Sequence, residues 1–208
     1  MFFRRPDADP RPPDPDAALV RALGEGDETA LAALVDRHLA RLTALAGRLL
    51  ASPAEAQEVA QEVFLRAWAR RGTWREGRAR YATWLHQVAL NLCRDRLRRR
   101  REVPATRPGD DPDAGPSPLE NRPDPAPGPE AQALRRDEAA RVRAALARLP
   151  ERQREALALT YWQGLDNREA AEALKVSVDA LESLLARGRR ALRGMLAEER
   201  MDQAGGEP

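Results

Sequence analysis

The stretch NREAAEALKVSVDALESLLARGRR, Asn167 to Arg190, holds a short amphipathic segment, a three-residue corner and a longer amphipathic segment. NREAAEAL reads as a short helix and KVS as the corner. VDALESLLARGRR opens a longer helix whose N-cap is Ser177, because a hydroxyl there accepts an otherwise orphaned backbone N–H. Val178, Leu181, Leu184, Leu185 and Leu192 recur at helical spacing and are expected to bury one side. Ala170, Ala171 and Ala173 are small enough for the two helices to cross closely, as a helix-turn-helix needs. The other side carries Asp179, Glu182, Ser183, Arg187 and Arg190. An ordinary helical hairpin has the same spacing, so the pattern alone leaves open both a DNA-reading pair and a plain bundle element.

The rest of the chain supports an all-α reading. Of 208 residues a third are charged and only 4% are aromatic, with Ala, Leu, Arg and Glu dominant, a composition that favours helices over strands. The formal net charge of +2 hides segregation, because RDRLRRRR (Arg94 to Arg101) and RGRRALR (Arg187 to Arg193) are strongly cationic. Patches of this kind bind phosphate polymers or anionic surfaces, although a solvated helix face also accounts for a single run. Two of them on one chain suggest a bipartite grip on an extended polyanion.

Periodicity divides the chain into two small helical domains joined by a flexible linker. Residues 1–15 carry prolines among scattered charges and read as a disordered tail. Residues 16–101 form the first domain. Within it, DAALVRALGEGDETALAALVDRHLARLTALAGRLL reads as a short helix, a turn and a longer helix. Ser52, Pro53 and Glu55 then make a complete helix start signal: cap, first-turn proline and capping-box acid. That helix is expected to bury Ala56, Val59, Ala60, Val63, Ala67 and part of Trp68, and to turn Glu58, Gln61, Glu62 and Arg66 outward. RGTWREGRARYAT breaks the pattern, and a further helix from about Trp84 to Arg100 buries Leu85, Val88, Ala89, Leu92 and Cys93. Residues 102–130 hold nine prolines and three glycines and read as the linker. Residues 131–199 form the second domain, of about four helices, broken at LPERQ and WQGLD; residues 200–208 read as a second disordered tail.

Several function classes are disfavoured. Cys93 is the single cysteine, which rules out an internal disulfide and fits a buried, inert thiol in a reducing cytoplasm. No run of about eighteen apolar residues and no signal-peptide core occurs, so direct membrane insertion is not expected. His38 and His86 lack a second ligand at metal spacing, and there is no phosphate-cradling glycine loop or nucleophile motif. The chain therefore reads as neither an enzyme nor a metalloprotein, with no catalytic residue, metal or cofactor expected.

Three segments in order resemble the bacterial RNA polymerase sigma factors of the extracytoplasmic-function (ECF) group. PAEAQEVAQEVFLRAW is similar to the group's region 2 core-binding helix, YATWLHQVALNLCRDRLRRRR to its minus-10 segment, and LPERQREALALTYWQGLDNREAAEALKVSVDALESLLARGRR to its region 4. The resemblance covers roughly residues 16–101 and 131–195. It implies a dissociable specificity subunit of core RNA polymerase, docking on the clamp coiled coil of the largest subunit through Glu58, Gln61, Glu62, Leu65 and Arg66, with a further contact to the flap region.

The resemblance also implies two DNA contacts. Asn91, Arg94, Asp95, Arg98 and Arg99 would meet the promoter's minus-10 element, with arginines on phosphates, Asn91 on a base edge or the nearby loop, and Asp95 organising arginine. The loop around Arg71 to Thr83 is similar to the loop that captures an unstacked base, with Trp74, Tyr81 and Trp84 as stacking candidates. Ser177, Asp179, Glu182, Ser183, Arg187, Arg189 and Arg190 would lie at the minus-35 element. Two departures stand out: Lys175 occupies the corner where glycine is usual, and Glu182 and Leu184 stand where basic residues are common. Glu182 is chemically able to accept from a cytosine amino group, while carboxylates there repel phosphates.

An anti-sigma partner covering both halves is implied too, as is a linker path through the RNA exit channel. The rivals are a stand-alone helix-turn-helix regulator binding duplex operator DNA, and an all-helical adaptor using its basic patches on a protein.

Overall fold

A computed structural model of the chain describes residues 12–74, 79–102 and 140–204. The expected tail up to residue 11, part of the loop after Arg71, the linker and the helical onset at Ala131 lie outside the described residues. Among those described there is no strand, and the fold is all-α.

Local signals account for most helix ends. Helix α1 spans Ala17–Gly24 and α2 spans Glu28–Leu50, where Asp27 caps the start by accepting from Thr29 N at 2.8 Å. Helix α2 stops at Ala51, which takes the left-handed conformation (φ 53°) and donates its N–H to Gly47 O. Helix α3, Pro53–Ala69, starts as its sequence signal predicts, with Ser52 Oγ accepting from Glu55 N at 3.4 Å.

Helix α4 spans Tyr81–Glu102, beginning three residues before the expected Trp84. The cause is distant: the Asp14 carboxylate accepts from Tyr81 N. That carboxylate supplies the cap that the local sequence lacks, and it lies in a stretch read as tail. Asp16 beside it is buried, bonded to Arg37 and 2.8 Å from His38 Nε2. Burial works to raise the Asp16 carboxyl, but His38 and Arg37 outweigh it and hold the group below its ordinary value.

The second half comprises a helix over 140–148 (α5), α6 (Glu151–Leu157), α7 (Asn167–Leu174) and α8 (Val178–Ala204). Helix α6 runs on into a π-helical turn, Ala158–Trp162. Helix α7 opens with a full capping box between Asp166 and Glu169. Helix α8 continues past the expected end at residue 199.

Leu34, Leu42 and Leu45 of α2 are fully buried with Val59, Ala60 and Val63 of α3 and with Leu85 and Ala89 of α4. Phe64, which the apolar stripe did not include, is 7% exposed and joins them. In the second half Leu157, Leu159, Leu174, Leu181 and Leu185 are buried with the three small residues Ala170, Ala171 and Ala173. Val178 departs from expectation: it is 38% exposed, because at the first position of α8 it lies beyond the crossing.

The buried residues of both halves belong to one cluster, with α4 against α7 and α2 against the π turn. The two domains are thus packed face to face.

Candidate nucleic-acid interface

On α3, Glu58, Gln61 and Leu65 are exposed, and Glu62 and Arg66 pair at 2.9 Å one turn apart. Leu65, 57% exposed, is an unburied aliphatic in a charged face. Glu58 also accepts from Arg96 of α4 at 3.1 Å. The five residues expected to act together therefore share one outward surface.

Where the chain leaves α3 for α4 there is a cavity of about 230 Å³. Its walls include Trp74, Tyr81 and Trp84, with Arg70 and Arg71 beside them and Val20 and Leu23 of α1 across from them. Trp74 meets Tyr81 edge-on at 5.9 Å, and Tyr81 stacks on Trp84 at 5.5 Å. Arg71 is held over Trp68 at 4.4 Å and donates to Trp68 O. The buried Trp74 Nε1 has no hydrogen-bond partner among the described residues. Tyr81 is buried rather than presented, and burial, with the Asp16 charge second, pushes its phenol well above the ordinary value. Flat aromatic walls with cationic neighbours suit a planar ring joined to a phosphate.

Along α4 the expected residues separate. Asp95 accepts from Arg98 at 3.0 Å, and Arg98 and Arg99 are exposed. Asn91 is exposed and accepts from Arg94 at 3.2 Å. The main engagement of Arg94 points elsewhere, with Nε 2.6 Å from Glu155 Oε1 and Nη2 2.8 Å from Glu155 Oε2 on α6. Burial works to lower the Arg94 guanidinium, but the Glu155 contact prevails and raises it.

On α8, Ser177 Oγ accepts from Ala180 N at 3.1 Å, and Lys175 takes the left-handed conformation (φ 57°) that makes the corner. Asp179, Glu182, Ser183, Arg187 and Arg190 are exposed along one helix. Glu182 accepts from Asn167 Nδ2 at 3.4 Å, and Arg187 donates to Ser183 O at 3.3 Å. Arg189 donates instead to the Tyr161 hydroxyl at 3.2 Å, which ties it to the π turn.

Residues that sequence reasoning did not single out hold the seam between the halves. Arg80 pairs with Glu169 at 2.9 Å, and Gln163 donates to Arg41 O at 3.1 Å while its Oε1 lies 3.3 Å from His86 Nε2. Their signal in the sequence is weak, since surface charges and an interfacial glutamine look alike in one dimension. Among the described residues no cluster of His, Cys, Asp or Glu could hold a metal ion, and no helix is long and apolar enough to cross a membrane.

Comparison with known proteins matches both halves. Sigma-70 region 2 matches residues 34–103 and Sigma-70, region 4 matches residues 139–192. The RNA polymerase sigma factor NccH of Alcaligenes xylosoxydans xylosoxydans is 36% identical, across 88% of this chain and 96% of its own length. CnrH of Cupriavidus metallidurans is 33% identical across 89% and 96%, and the ECF RNA polymerase sigma factor SigW of Bacillus subtilis 27% identical across 86% and 95%. A solved CnrH, in complex with the cytosolic domain of CnrY, superposes with a TM-score of 0.65 at 26% identity, covering 88% of this chain and 97% of that one. RpoE in complex with the anti-sigma factor NepR from Bartonella quintana shares the fold, with a TM-score of 0.57 at 22% identity, covering 78% and 94%. Because relatives of this kind are matched almost end to end, through both regions and in the same order, the chain belongs to the ECF family of RNA polymerase sigma factors.

Proposed function

We propose that this sigma factor docks on core RNA polymerase through the outward face of α3, with Leu65 as its apolar anchor between Glu58, Gln61, Glu62 and Arg66. Bound there, it holds the minus-10 element at the junction of α3 and α4 and places α8 in the major groove of the minus-35 element. It performs no chemistry itself; its contribution is positional. Extruding a base costs a few kcal/mol, which a preformed aromatic pocket recovers by stacking at roughly 1–3 kcal/mol per base. Arg98 and Arg99, free of the seam between the halves, attract the strand's phosphates. On α8, Arg187 and Arg190 supply attraction, while Asp179 and Glu182 bias the choice of base.

The observation that carries this reading is the aromatic cavity flanked by Arg70 and Arg71 at the start of the arginine-rich α4. A helix-turn-helix regulator acting without polymerase has no use for an aromatic cavity flanked by arginines at the start of α4.

An anti-sigma partner in the cytoplasm, covering surfaces of both halves, completes the proposal; it is supported by the similarity to CnrH, which was solved bound to the cytosolic domain of CnrY. The test is reconstituted transcription from a genomic promoter library, with core polymerase alone and with this protein added. New, sequence-related start sites are expected; a start-site pattern identical to that of core alone overturns the reading.

A further inference from the structure

Helix α4 has two places at which it could begin. From Trp74 to Tyr81 the chain reads WREGRARY, with no Ser, Thr, Asp or Asn to cap a helix, and the first residue beyond it with a capping side chain is Thr83. Local sequence alone therefore favours a start at Trp84. The helix starts at Tyr81 instead, because Asp14 Oδ2 accepts from Tyr81 N while Asp14 Oδ1 accepts from Asp16 N at 2.9 Å. The match to Sigma-70 region 2 begins at residue 34, so this carboxylate lies outside the matched segment.

The added turn builds one wall of the aromatic cavity. Tyr81 and Trp84 are three residues apart, and a helical backbone at both positions brings their rings into a stack at 5.5 Å, with Trp74 edge-on to Tyr81 at 5.9 Å. Asp14 also fixes the opposite wall. Its own carbonyl accepts from Ala17 N, the first residue of α1, at 3.0 Å. Arg37 of α2 donates to Pro15 O at 3.2 Å, and Asp16 is bonded to Arg37 and His38. At its far end α1 meets the loop after α3, where a Cβ on Gly24 would stand 3.6 Å from the Gly72 backbone. Val20 and Leu23 of α1 are thereby held across from the rings.

We propose that Asp14 is a positioning residue of the base-capturing cavity: its carboxylate sets the start of α4 at Tyr81 rather than Trp84 and ties that start to α1, so that the two walls stand at the separation a planar base needs. This rests on the reading of the cavity as the seat of an unpaired base. Asp14 touches no base itself. It acts through Tyr81, and without it the first turn of α4 unwinds and the ring stack loses its alignment. A stacking site loosened by about 1 Å loses much of its affinity although every ring is still present.

The test uses the full chain labelled with 15N and the four 2′-deoxynucleoside 5′-monophosphates, each a planar ring joined to a phosphate. The indole N–H signal of Trp74 reads binding, and amide hydrogen exchange reads the start of α4. Ser52→Ala is the control, since it removes the cap of α3 at the end of that helix away from the cavity.

In the wild type at least one nucleotide is expected to shift the Trp74 indole signal. Asp14→Ala should speed exchange at the amides of residues 81–83 roughly tenfold, leave Ala89 and Leu90 unchanged, and weaken nucleotide binding roughly fivefold, equivalent to about 1 kcal/mol. An amide has one acceptor oxygen, so Asp14→Asn serves Tyr81 N or Asp16 N but not both and should fall between the two. Should Asp14→Ala fail to fold, Asp14→Asn carries both measurements. Unchanged exchange at 81–83, unchanged nucleotide binding, or an equal loss of binding in Ser52→Ala overturns the role of Asp14. A wild type whose indole signal no nucleotide shifts overturns the base-pocket reading of the cavity and the proposal with it. Neither measurement uses core polymerase or a promoter, so failure here is separable from failure in the promoter-library experiment.

Discussion

Gly188 of α8 lies against Leu157 of α6 so closely that a Cβ added to the glycine would stand 3.0 Å from Leu157 Cδ1 and 3.4 Å from Gln153 Cβ. This crossing sets the angle at which α8 leaves the second domain, and hence where Arg187 and Arg190 point. Gly194, two turns on in the same helix, meets nothing within 4 Å. Alanine at a free glycine in a helix interior stabilises by about 0.5–1 kcal/mol, whereas inserting a methyl into a filled contact destabilises by about 1–3 kcal/mol. Urea denaturation should therefore show Gly194→Ala gaining stability and Gly188→Ala failing to gain, with a gap between them of about 1–3 kcal/mol. Equal gains would mean that the α6 and α8 crossing has slack.

Among the described residues two non-glycine residues end helices in the left-handed conformation, Ala51 at φ 53° and Lys175 at φ 57°. Glycine has no Cβ to crowd the next carbonyl, while other residues lose roughly 1 kcal/mol there. Part of that is returned because glycine makes the unfolded chain freer. Ala51→Gly and Lys175→Gly should each raise the urea midpoint, by about 0.5 kcal/mol when converted, with the denaturant slope unchanged. A lowered midpoint in either would show that the side chain contributes more than the backbone geometry costs.

His86 predicts a loss of stability in weak acid. Its ring is buried, and burial lowers its pKa from 6.5 even though the Ala82 carbonyl and Gln163 oppose the shift; His38 and Arg41 of α2 add charge that lowers it further. The unfolded chain takes up the proton first, so stability is intact above pH 6.5 and falls as pH drops below it toward the folded value. The slope from one such group is at most about 1.4 kcal/mol per pH unit. Thermal melts at pH 7.5 and 5.5 should show this fall in the wild type and a shallower one in His86→Gln. Identical slopes would mean that other groups govern the acid limb.

Leu65 is the residue at which the proposed docking can be tested apart from folding. At 57% exposure it contributes little to the core, so Leu65→Ala should change stability by less than about 0.5 kcal/mol. An apolar anchor at the centre of a docking face is worth more than that when a partner covers it. Titration of labelled chain with core polymerase should show about tenfold weaker binding. Unchanged affinity would remove Leu65 from the docking face.

What could be read in one dimension was whatever depends on neighbours within about four residues. The start of α3 at Ser52, Pro53 and Glu55, the corner over KVS, the cap at Ser177 and the apolar stripe of α3 are all settled by groups about one turn away. A helix hydrogen-bonds to itself, so its ends and its buried face are written locally. The outward residues of α3 and α8 followed from the same periodicity.

Partnerships between helices were not written that way. Asp14 caps α4 from 67 residues away, and Glu155 takes Arg94 from 61 residues away. In the sequence Glu155 is one acid among many on a helical segment, and Arg94 one arginine in a basic run. A charge is selected as a partner only when packing brings one face against another and strips the water from between them. Helical period and composition therefore established two α-helical halves with basic faces, while the docking of α6 and α7 on α4 decided which arginines stay exposed and which are already paired.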